Sequence, residues 1–260
     1  MNKHRLKKIA WLVAIIIIFV IALLTYFNRS YAYIYQTIDE ARLKSPDKVR
    51  IYAIENNMNM SNRPAKINLT YAALGDSLTA GVGVDDYRKS YPYLLAQYFA
   101  GNDYQITLKD RAVPGAKTKD LLSGLLPGTI NDDPDIVTVL IGVNDIHGEI
   151  SQKDFKDNYD NILKRLTTET KAKIYVINIP FIGADNILLP PYNYLFNKRT
   201  REYNIIIQEL ALKYNVKYID LYTPTESLFK TKGPHYAADF FHPSAEGYKI
   251  WADLIYANLN

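Results

Sequence analysis

The sequence predicts an α/β domain, doubly wound around a parallel sheet with helices on both faces and preceded by one N-terminal transmembrane helix. From residue 69 onward, short apolar runs rich in β-branched residues alternate with longer segments at helical spacing. This alternation is typical of parallel sheets with crossover helices. Hydrophobic residues make up 48% of the 260-residue chain, which is enough to bury one sizeable core. Near the N-terminus, residues 9–27 contain no charged residue.

The first element is this uncharged run, IAWLVAIIIIFVIALLTYF. At about 1.5 Å per helical residue it spans roughly the 30 Å of a bilayer core. A basic cluster in residues 1–8 precedes it, and such charge is retained in the cytoplasm, so residues 28–260 are expected outside the cell. A cleavable signal peptide is the alternative, because residues 30–32 offer a small-x-small cleavage site. The run is longer than the usual signal-peptide core, which favours an uncleaved anchor; a buried core helix would normally keep a polar stripe.

Residues 28–68 are predicted to form a stem between the anchor and a globular domain of residues 69–260. Tyrosines at 31, 33 and 35 are expected at the membrane interface. The charged segment that follows can form a short helix, which Pro46 would break.

Within the globular domain, apolar runs predict five strands: 69-LTYAAL, 104-YQITLK, 135-DIVTVLI, 173-KIYVINI and 216-VKYID. Apolar residues at helical spacing predict the buried faces of three helices: Phe155, Tyr159, Ile162, Leu163 and Leu166; Tyr203, Ile206, Ile207, Leu210 and Tyr214; and Tyr248, Trp251, Ile255 and Leu259. Ligand sites of such sheets lie beyond the carboxyl ends of the strands.

Composition excludes several kinds of site and partner. The net charge of +4 comes from the basic N-terminal cluster, since the rest of the chain has equal numbers of basic and acidic residues. A nucleic-acid surface needs a concentrated basic stripe, so no nucleic-acid partner is expected. There is no cysteine, which excludes disulfides and thiolate catalysis. With four histidines, one of them His4 in the basic cluster, no metal site and no cofactor are expected.

Polar residues follow several of the predicted strands, at the same edge of the sheet. Ser77 follows the first strand, Gly115 the second and Asn144 the third, while Asp239 and His242 precede the last helix. Serine becomes nucleophilic beside a base that an acid orients, and the resulting oxyanion needs preorganised donors. In this interpretation Ser77 attacks, His242 takes its proton and Asp239 holds the imidazole. The Ser77 and Gly115 backbone N–H groups and the Asn144 amide would donate to the oxyanion.

The motifs GDSLTAG, RAVPGAKT, GVND and DFFHPSAEGY resemble, in order and spacing, the four blocks of the SGNH (GDSL) hydrolase family. The resemblance covers about residues 69–258 and places the family's serine, glycine, asparagine and histidine on Ser77, Gly115, Asn144 and His242, with Asp239 as the acid. It implies a three-layer, flavodoxin-like fold with a five-stranded parallel sheet, no metal, and ester or thioester hydrolysis. Membrane-anchored GDSL proteins of Gram-positive bacteria look most similar. One departure is Asp110-Arg111, where many members have an asparagine, so the support of Gly115 is expected to differ.

Other residues compete for these roles. Asp76 is an alternative acid, although its position beside Ser77 favours a structural hydrogen bond. His147 and His235 are alternative bases, but neither has an aspartate three residues before it. The α/β-hydrolase motif G-x-S-x-G fails at Thr79.

The substrate is expected to be an ester found at the membrane or cell envelope: a lysophospholipid, or an acetyl group on a wall polymer. The apolar segment 181–196 is predicted to shape the pocket, with His147, Ile187, Leu188 and Leu189 as candidate wall residues and an ordinary packed connection as the alternative. An O-acyltransferase would share the acyl-enzyme and differ in its acceptor. A non-catalytic binding module would have the same scaffold.

Overall fold

The computed structural model describes residues 3–43, 49–54, 67–101, 104–148, 150–183, 188, 190 and 192–259. Its six strands are β1 Arg50–Ile54, β2 Ile67–Gly75, β3 Tyr104–Ala112, β4 Ile136–Leu140, β5 Lys173–Ile177 and β6 Lys217–Ile219. They form one sheet in the order β1-β3-β2-β4-β5-β6. Strands β2 to β6 pair in parallel, as the sequence predicts, and β1 pairs antiparallel with β3. The fold is therefore α/β with a mixed sheet.

The helices are α1 Lys3–Leu43, α2 Tyr91–Ala100, α3 Thr118–Asp120, α4 Leu126–Asn131, α5 Val143–His147, α6 Gln152–Glu169, α7 Tyr192–Lys213, α8 Tyr222–Phe229 and α9 Ala245–Ala257. A 3₁₀ turn covers Tyr87–Lys89, and a π-helical turn covers Leu121–Leu125. Helix α2 packs against α9, and α6 packs against α4 and α7. Because parallel crossovers are right-handed, these two groups cover opposite faces of the sheet.

The predicted helix faces are confirmed. All five predicted residues of α6 are buried, and so are the four predicted residues that lie in α7, while Tyr214, just after α7, is half-buried. The four residues predicted for the last helix are also buried, with Leu259 two residues after the end of α9. Helix α6 begins where the Ser151 hydroxyl accepts a hydrogen bond from the Asp154 N–H at 3.1 Å, which satisfies one of the free donors of the first turn.

Strand β1 is a difference from the predicted five-stranded sheet, and it lies inside the segment predicted as stem. Arg50 pairs with Asp110 and Ile54 with Ile106 in the antiparallel ladder. The strand is five residues long, sits at the sheet edge, and buries Ile54 while leaving Ile51 exposed. So short an alternating run gives little signal in the sequence, whereas the central strands are apolar throughout.

Helix α1 contains the uncharged run and continues beyond it to Leu43. The segment His4–Arg29 has a mean hydropathy of 2.9, and none of its apolar window is buried against the rest of the chain. A 26-residue apolar segment of this kind is long enough to cross a bilayer.

Candidate active site

Ser77 lies on a tight turn directly after β2. The last residue of β2 is Gly75. A Cβ at this position would lie 2.1 Å from Thr79 Oγ1 and 2.5 Å from the Leu140 carbonyl oxygen, so the close approach requires glycine. The turn closes when the Ala80 N–H donates to the Asp76 carbonyl at 2.8 Å. Ser77 is 4% exposed at the carboxyl end of the central strands.

The structure brings Ser77, His242 and Asp239 together. The Ser77 Oγ lies 3.0 Å from His242 Nε2, and His242 Nδ1 lies 2.7 Å from Asp239 Oδ2. The imidazole is fully buried. A hydroxyl within hydrogen-bond reach of an imidazole whose second nitrogen contacts a carboxylate can lose its proton to that imidazole.

The Asp239 carboxylate is held in place by its own loop. Its Oδ1 accepts hydrogen bonds from the backbone N–H groups of Phe241 and His242, both at 2.9 Å. Burial raises the pKa of Asp239, but the hydrogen bond and charge attraction from His242 and the two N–H groups outweigh it, so the pKa lies below its ordinary value. Asp239 is therefore ionised near neutral pH and available to orient the imidazole.

Three donors lie around the same edge. Gly115 adopts a φ of 80°, a conformation that favours glycine, and the Val113 N–H beside it donates to the Gly75 carbonyl at 3.2 Å. Within the described part of the chain, the backbone N–H groups of Ser77 and Gly115 make no hydrogen bond. The Asn144 amide donates to the Ala116 carbonyl at 3.1 Å, which uses one of its two N–H groups. The other can serve a bound oxyanion.

Arg50, which lies in the segment predicted as stem, supports this edge through Asp110 of β3. The Arg50 guanidinium forms an ion pair with the buried Asp110 carboxylate and donates to the Ala80 carbonyl at 2.7 Å. Asp110 also accepts a hydrogen bond from the Ala112 N–H at 3.2 Å. Burial raises the pKa of Asp110 to about 6, although Arg50 opposes the shift. Asp110, which stands near the position where many family members have an asparagine, is thus paired with Arg50 from outside the motif. Arg50 is a supporting residue that the sequence did not reveal.

A model of the GDSL-like Lipase/Acylhydrolase family matches residues 73–250. The chain belongs to this family. It is accordingly an ester hydrolase, as the motifs predict, and the match begins after β1 and before Ser77.

Similar proteins include an acetylxylan esterase from Geobacillus stearothermophilus, 26% identical over 156 residues, or 56% of this chain and 69% of that protein. A lipase from Streptomyces rimosus is 38% identical over 85 residues, which cover 29% of this chain and 30% of the lipase. The crystal structure of a Geobacillus stearothermophilus acetylxylan esterase superposes with a TM-score of 0.60 at 18% identity, over 75% of this chain and 95% of that one. This last likeness shows the shared fold.

Asp76, the alternative acid, and His147 and His235, the alternative bases, have other hydrogen-bond partners. Asp76 is buried, and its Oδ1 accepts from the Leu78 N–H at 3.0 Å, the structural hydrogen bond that its position favours. His147 Nδ1 is hydrogen-bonded to the Tyr192 hydroxyl, and burial lowers the pKa of His147 to about 3. His235 Nε2 lies 3.1 Å from the Thr231 carbonyl oxygen.

Two cavities adjoin this edge. A cavity of about 180 Å³ lies beside Gly115 and is lined also by Pro114 and Leu125. A larger one, of about 610 Å³, is lined by His147 and by residues of α1 and α7. His147, one of the candidate wall residues, therefore lines a cavity in the structure.

Leu188, a second candidate wall residue, has a different position. Leu188 is fully buried in the hydrophobic core, where its side chain occupies the space that a Cβ on Gly183 would need. Neither cavity includes Leu188 among its lining residues. Ile187 and Leu189 lie outside the residues that the structure describes.

Proposed function

We propose that this GDSL hydrolase is a serine esterase in which Ser77 is the nucleophile, His242 the base and Asp239 the acid that orients it. The observation that carries the proposal is the continuous contact from Ser77 Oγ to His242 Nε2 at 3.0 Å and from His242 Nδ1 to Asp239 Oδ2 at 2.7 Å. Burial of the imidazole keeps competing water hydrogen bonds away from it.

The reaction proceeds through an acyl-enzyme. Ser77 Oγ bonds to the ester carbonyl carbon while the hydroxyl proton moves to His242 Nε2. The tetrahedral oxyanion accepts hydrogen bonds from the Ser77 and Gly115 N–H groups and the Asn144 amide. The bond to the leaving oxygen then breaks, and His242 returns its proton to the departing alcohol. Water repeats the sequence in reverse: His242 takes a proton from water, hydroxide oxygen bonds to the acyl carbon, and Ser77 recovers its proton as the acid leaves.

We infer that helix α1 anchors the enzyme in a membrane with the catalytic domain outside. Its apolar segment is exposed and follows four basic residues at positions 3, 5, 7 and 8, which favours an N-terminus inside the cell. Cleavage as a signal sequence is the alternative.

The substrate class that this position favours is an acyl ester of the envelope, with a lysophospholipid as the first candidate. The second candidate is an O-acetyl group on a wall polymer, hydrolysed or transferred. It is favoured by the similarity to an acetylxylan esterase. An acyltransferase would pass the acyl group to a sugar hydroxyl in preference to water.

Steady-state hydrolysis of p-nitrophenyl acetate by the full chain in detergent tests the triad. Ser77→Ala is expected to abolish turnover, and His242→Ala nearly so. The matched controls are Ser123→Ala, an exposed serine, and His235→Ala, which should each leave kcat/KM unchanged. Turnover by Ser77→Ala at the rate of the Ser123→Ala control would refute the assignment.

A further inference from the structure

The beginning of helix α7 lies beside the end of the apolar segment of α1. Residues 195, 198, 199 and 202 of α7 follow one another at helical spacing and form a stripe along one side of that helix. This stripe lines the cavity of about 610 Å³ together with Phe27 and Asn28 of α1. Phe27 is the last residue of the uncharged run. The beginning of α7 is therefore level with the point where a membrane-spanning α1 leaves the bilayer.

A second contact fixes the catalytic domain on the same helix. The Tyr33 hydroxyl donates to the Asp239 backbone carbonyl at 3.0 Å. Tyr33 lies six residues after Phe27, which is a rise of about 9 Å along α1. Helix α1 thus contacts the domain at two levels, beside α7 and beside the loop of Asp239. Together these contacts determine which side of the domain faces the membrane.

At the first of these levels, α7 exposes two neighbouring apolar side chains. Tyr194 is 65% exposed and Leu195 is 55% exposed. Single exposed apolar residues are common on protein surfaces, but these two adjoin the end of a segment that is long enough to cross a bilayer. Tyrosine is enriched at membrane–water interfaces, where its ring lies among apolar groups and its hydroxyl stays in contact with water. Their position therefore indicates contact with lipid.

Two basic residues lie one helical turn further along α7. Lys198 follows Tyr194 by four residues and is exposed, and Arg199 follows Leu195 by four residues and is half-buried. Glu202, the acidic residue of the stripe, lies 3.8 Å from Lys198. The stripe therefore has two positive charges and one negative charge. Basic side chains next to interfacial apolar residues are suited to contact the phosphate groups of lipids.

We propose that the beginning of α7 is a membrane-docking surface, on which the catalytic domain rests against the bilayer that α1 crosses. Tyr194 and Leu195 lie in the interfacial region, and Lys198 and Arg199 contact the head groups of anionic phospholipids. The lipid is here a surface and not a substrate, because the described residues that line the cavity do not include the triad. The proposal rests on the membrane anchor proposed above and adds the side of the domain that faces the bilayer.

Fluorescent labels in the full-length chain test this docking in vesicles of phosphatidylcholine and phosphatidylglycerol. The chain has no cysteine, so a single-cysteine variant has one nitrobenzoxadiazole label at a known position. Tyr194→Cys and Leu195→Cys report on the docking surface. Their matched controls are Tyr256→Cys, exposed on α9 at the opposite face of the sheet, and Leu212→Cys, exposed about 26 Å further along α7.

Phospholipids with a doxyl group close to the head group quench labels that lie in the interfacial region. We expect strong quenching of the labels at positions 194 and 195 and little quenching of those at 256 and 212. Phe19→Cys, in the middle of the apolar run, reports on the anchor itself. Its label should be quenched by lipids with the doxyl group deep in the acyl chain.

The head-group contact is tested in the Leu195→Cys background. Arg199→Gln is expected to lower the ratio of docked to undocked protein about fivefold in the mixed vesicles, which is the contribution of one basic residue near an anionic surface. The matched control is Arg201→Gln, whose partners are Tyr222 and Glu226 and which does not line the cavity. Equal quenching with Arg199→Gln and Arg201→Gln would overturn the head-group contact.

The labels separate failure of the docking surface from failure of the anchor. If the label at position 19 is quenched deep in the bilayer but those at 194 and 195 are quenched no more than their controls, docking is overturned and the anchor stands. If lipid does not quench the label at position 19, the anchor fails and the docking proposal fails with it.

Discussion

Replacing Arg50 with methionine is expected to destabilise the whole domain, although Arg50 lies outside the family match. The substitution keeps the aliphatic stem and removes the guanidinium. It breaks the ion pair to Asp110, the hydrogen bond to the Ala80 carbonyl, and the stacking of the guanidinium on the Tyr87 ring at 4.1 Å. Asp110 is then a buried carboxylate without its cation.

The magnitude follows from the burial of the pair. Removing one partner of a buried ion pair costs about 3 to 5 kcal/mol. The Asp110 side chain is 1% exposed but that of Arg50 is 23% exposed, so water can partly replace the guanidinium and the lower end, about 3 kcal/mol, is expected. For a domain of this size that lowers Tm by roughly 6 to 12 °C.

The loss of stability caused by Arg50→Met is expected to grow as the pH rises. The pKa of Asp110 is raised by burial to about 6 from an ordinary 3.8, so the folded state binds the extra proton and stability falls as pH rises through this range. Without Arg50 the pKa rises further, and the loss extends to higher pH. The Tm difference between wild type and Arg50→Met should therefore be larger at pH 8 than at pH 5.

Thermal melts followed by tryptophan fluorescence measure this effect. The two tryptophans are Trp11, exposed on α1, and Trp251, buried in the core, so a Trp11→Phe background makes the signal report the domain. Adding Asp110→Asn to Arg50→Met should recover most of the loss, and Arg88→Met, an exposed arginine paired with Asp86, should leave Tm unchanged. Equal Tm values for wild type and Arg50→Met at pH 8 would refute the reasoning.

Three further results are expected. Asn144→Ala should lower kcat for p-nitrophenyl acetate about 100-fold with KM little changed, because about 3 kcal/mol of oxyanion stabilisation is lost; a rise in KM alone would make Asn144 a ground-state binding residue. Burial raises the pKa of Asp76 to about 7, so wild-type Tm should fall between pH 5 and pH 8, and Asp76→Asn should flatten that fall; parallel Tm curves would contradict this. Protease added to intact cells should release an active soluble fragment that begins within residues 28–68; a mature protein beginning at Tyr33 in the medium would establish signal cleavage instead.

The main features of the fold follow from the sequence because the central strands are buried on both faces. Their apolar runs are continuous, and the candidate site residues lie in the turns that follow them at one edge of the sheet. Ser77, Gly115 and Asn144 could therefore be predicted to lie near one another from the sequence. Strand β1 could not be found this way. Its pairing with β3 is antiparallel and at the edge, and the carboxylate that Arg50 contacts lies 60 residues away.

Leu188 shows a second limit. An apolar residue in a proline-rich connection can face a cavity or the core. The residue type alone does not distinguish these two positions. Here it fills the space beside Gly183, whose φ of 80° itself disfavours a side chain. The contact between Tyr33 and the Asp239 carbonyl, 206 residues apart in the chain, likewise leaves no local pattern. Tyr33 was predicted to lie at the membrane interface, and its hydroxyl contacts the loop that carries Asp239.

The central claim is that Ser77 is the nucleophile that His242 activates, and covalent labelling tests it most directly. The full chain is treated with a fluorophosphonate and digested, and the modified peptide is identified by mass spectrometry. We expect one phosphonyl adduct on Ser77, lost in Ser77→Ala and strongly reduced in His242→Ala. An adduct on another serine, or esterase activity that survives full Ser77→Ala substitution, would contradict the account.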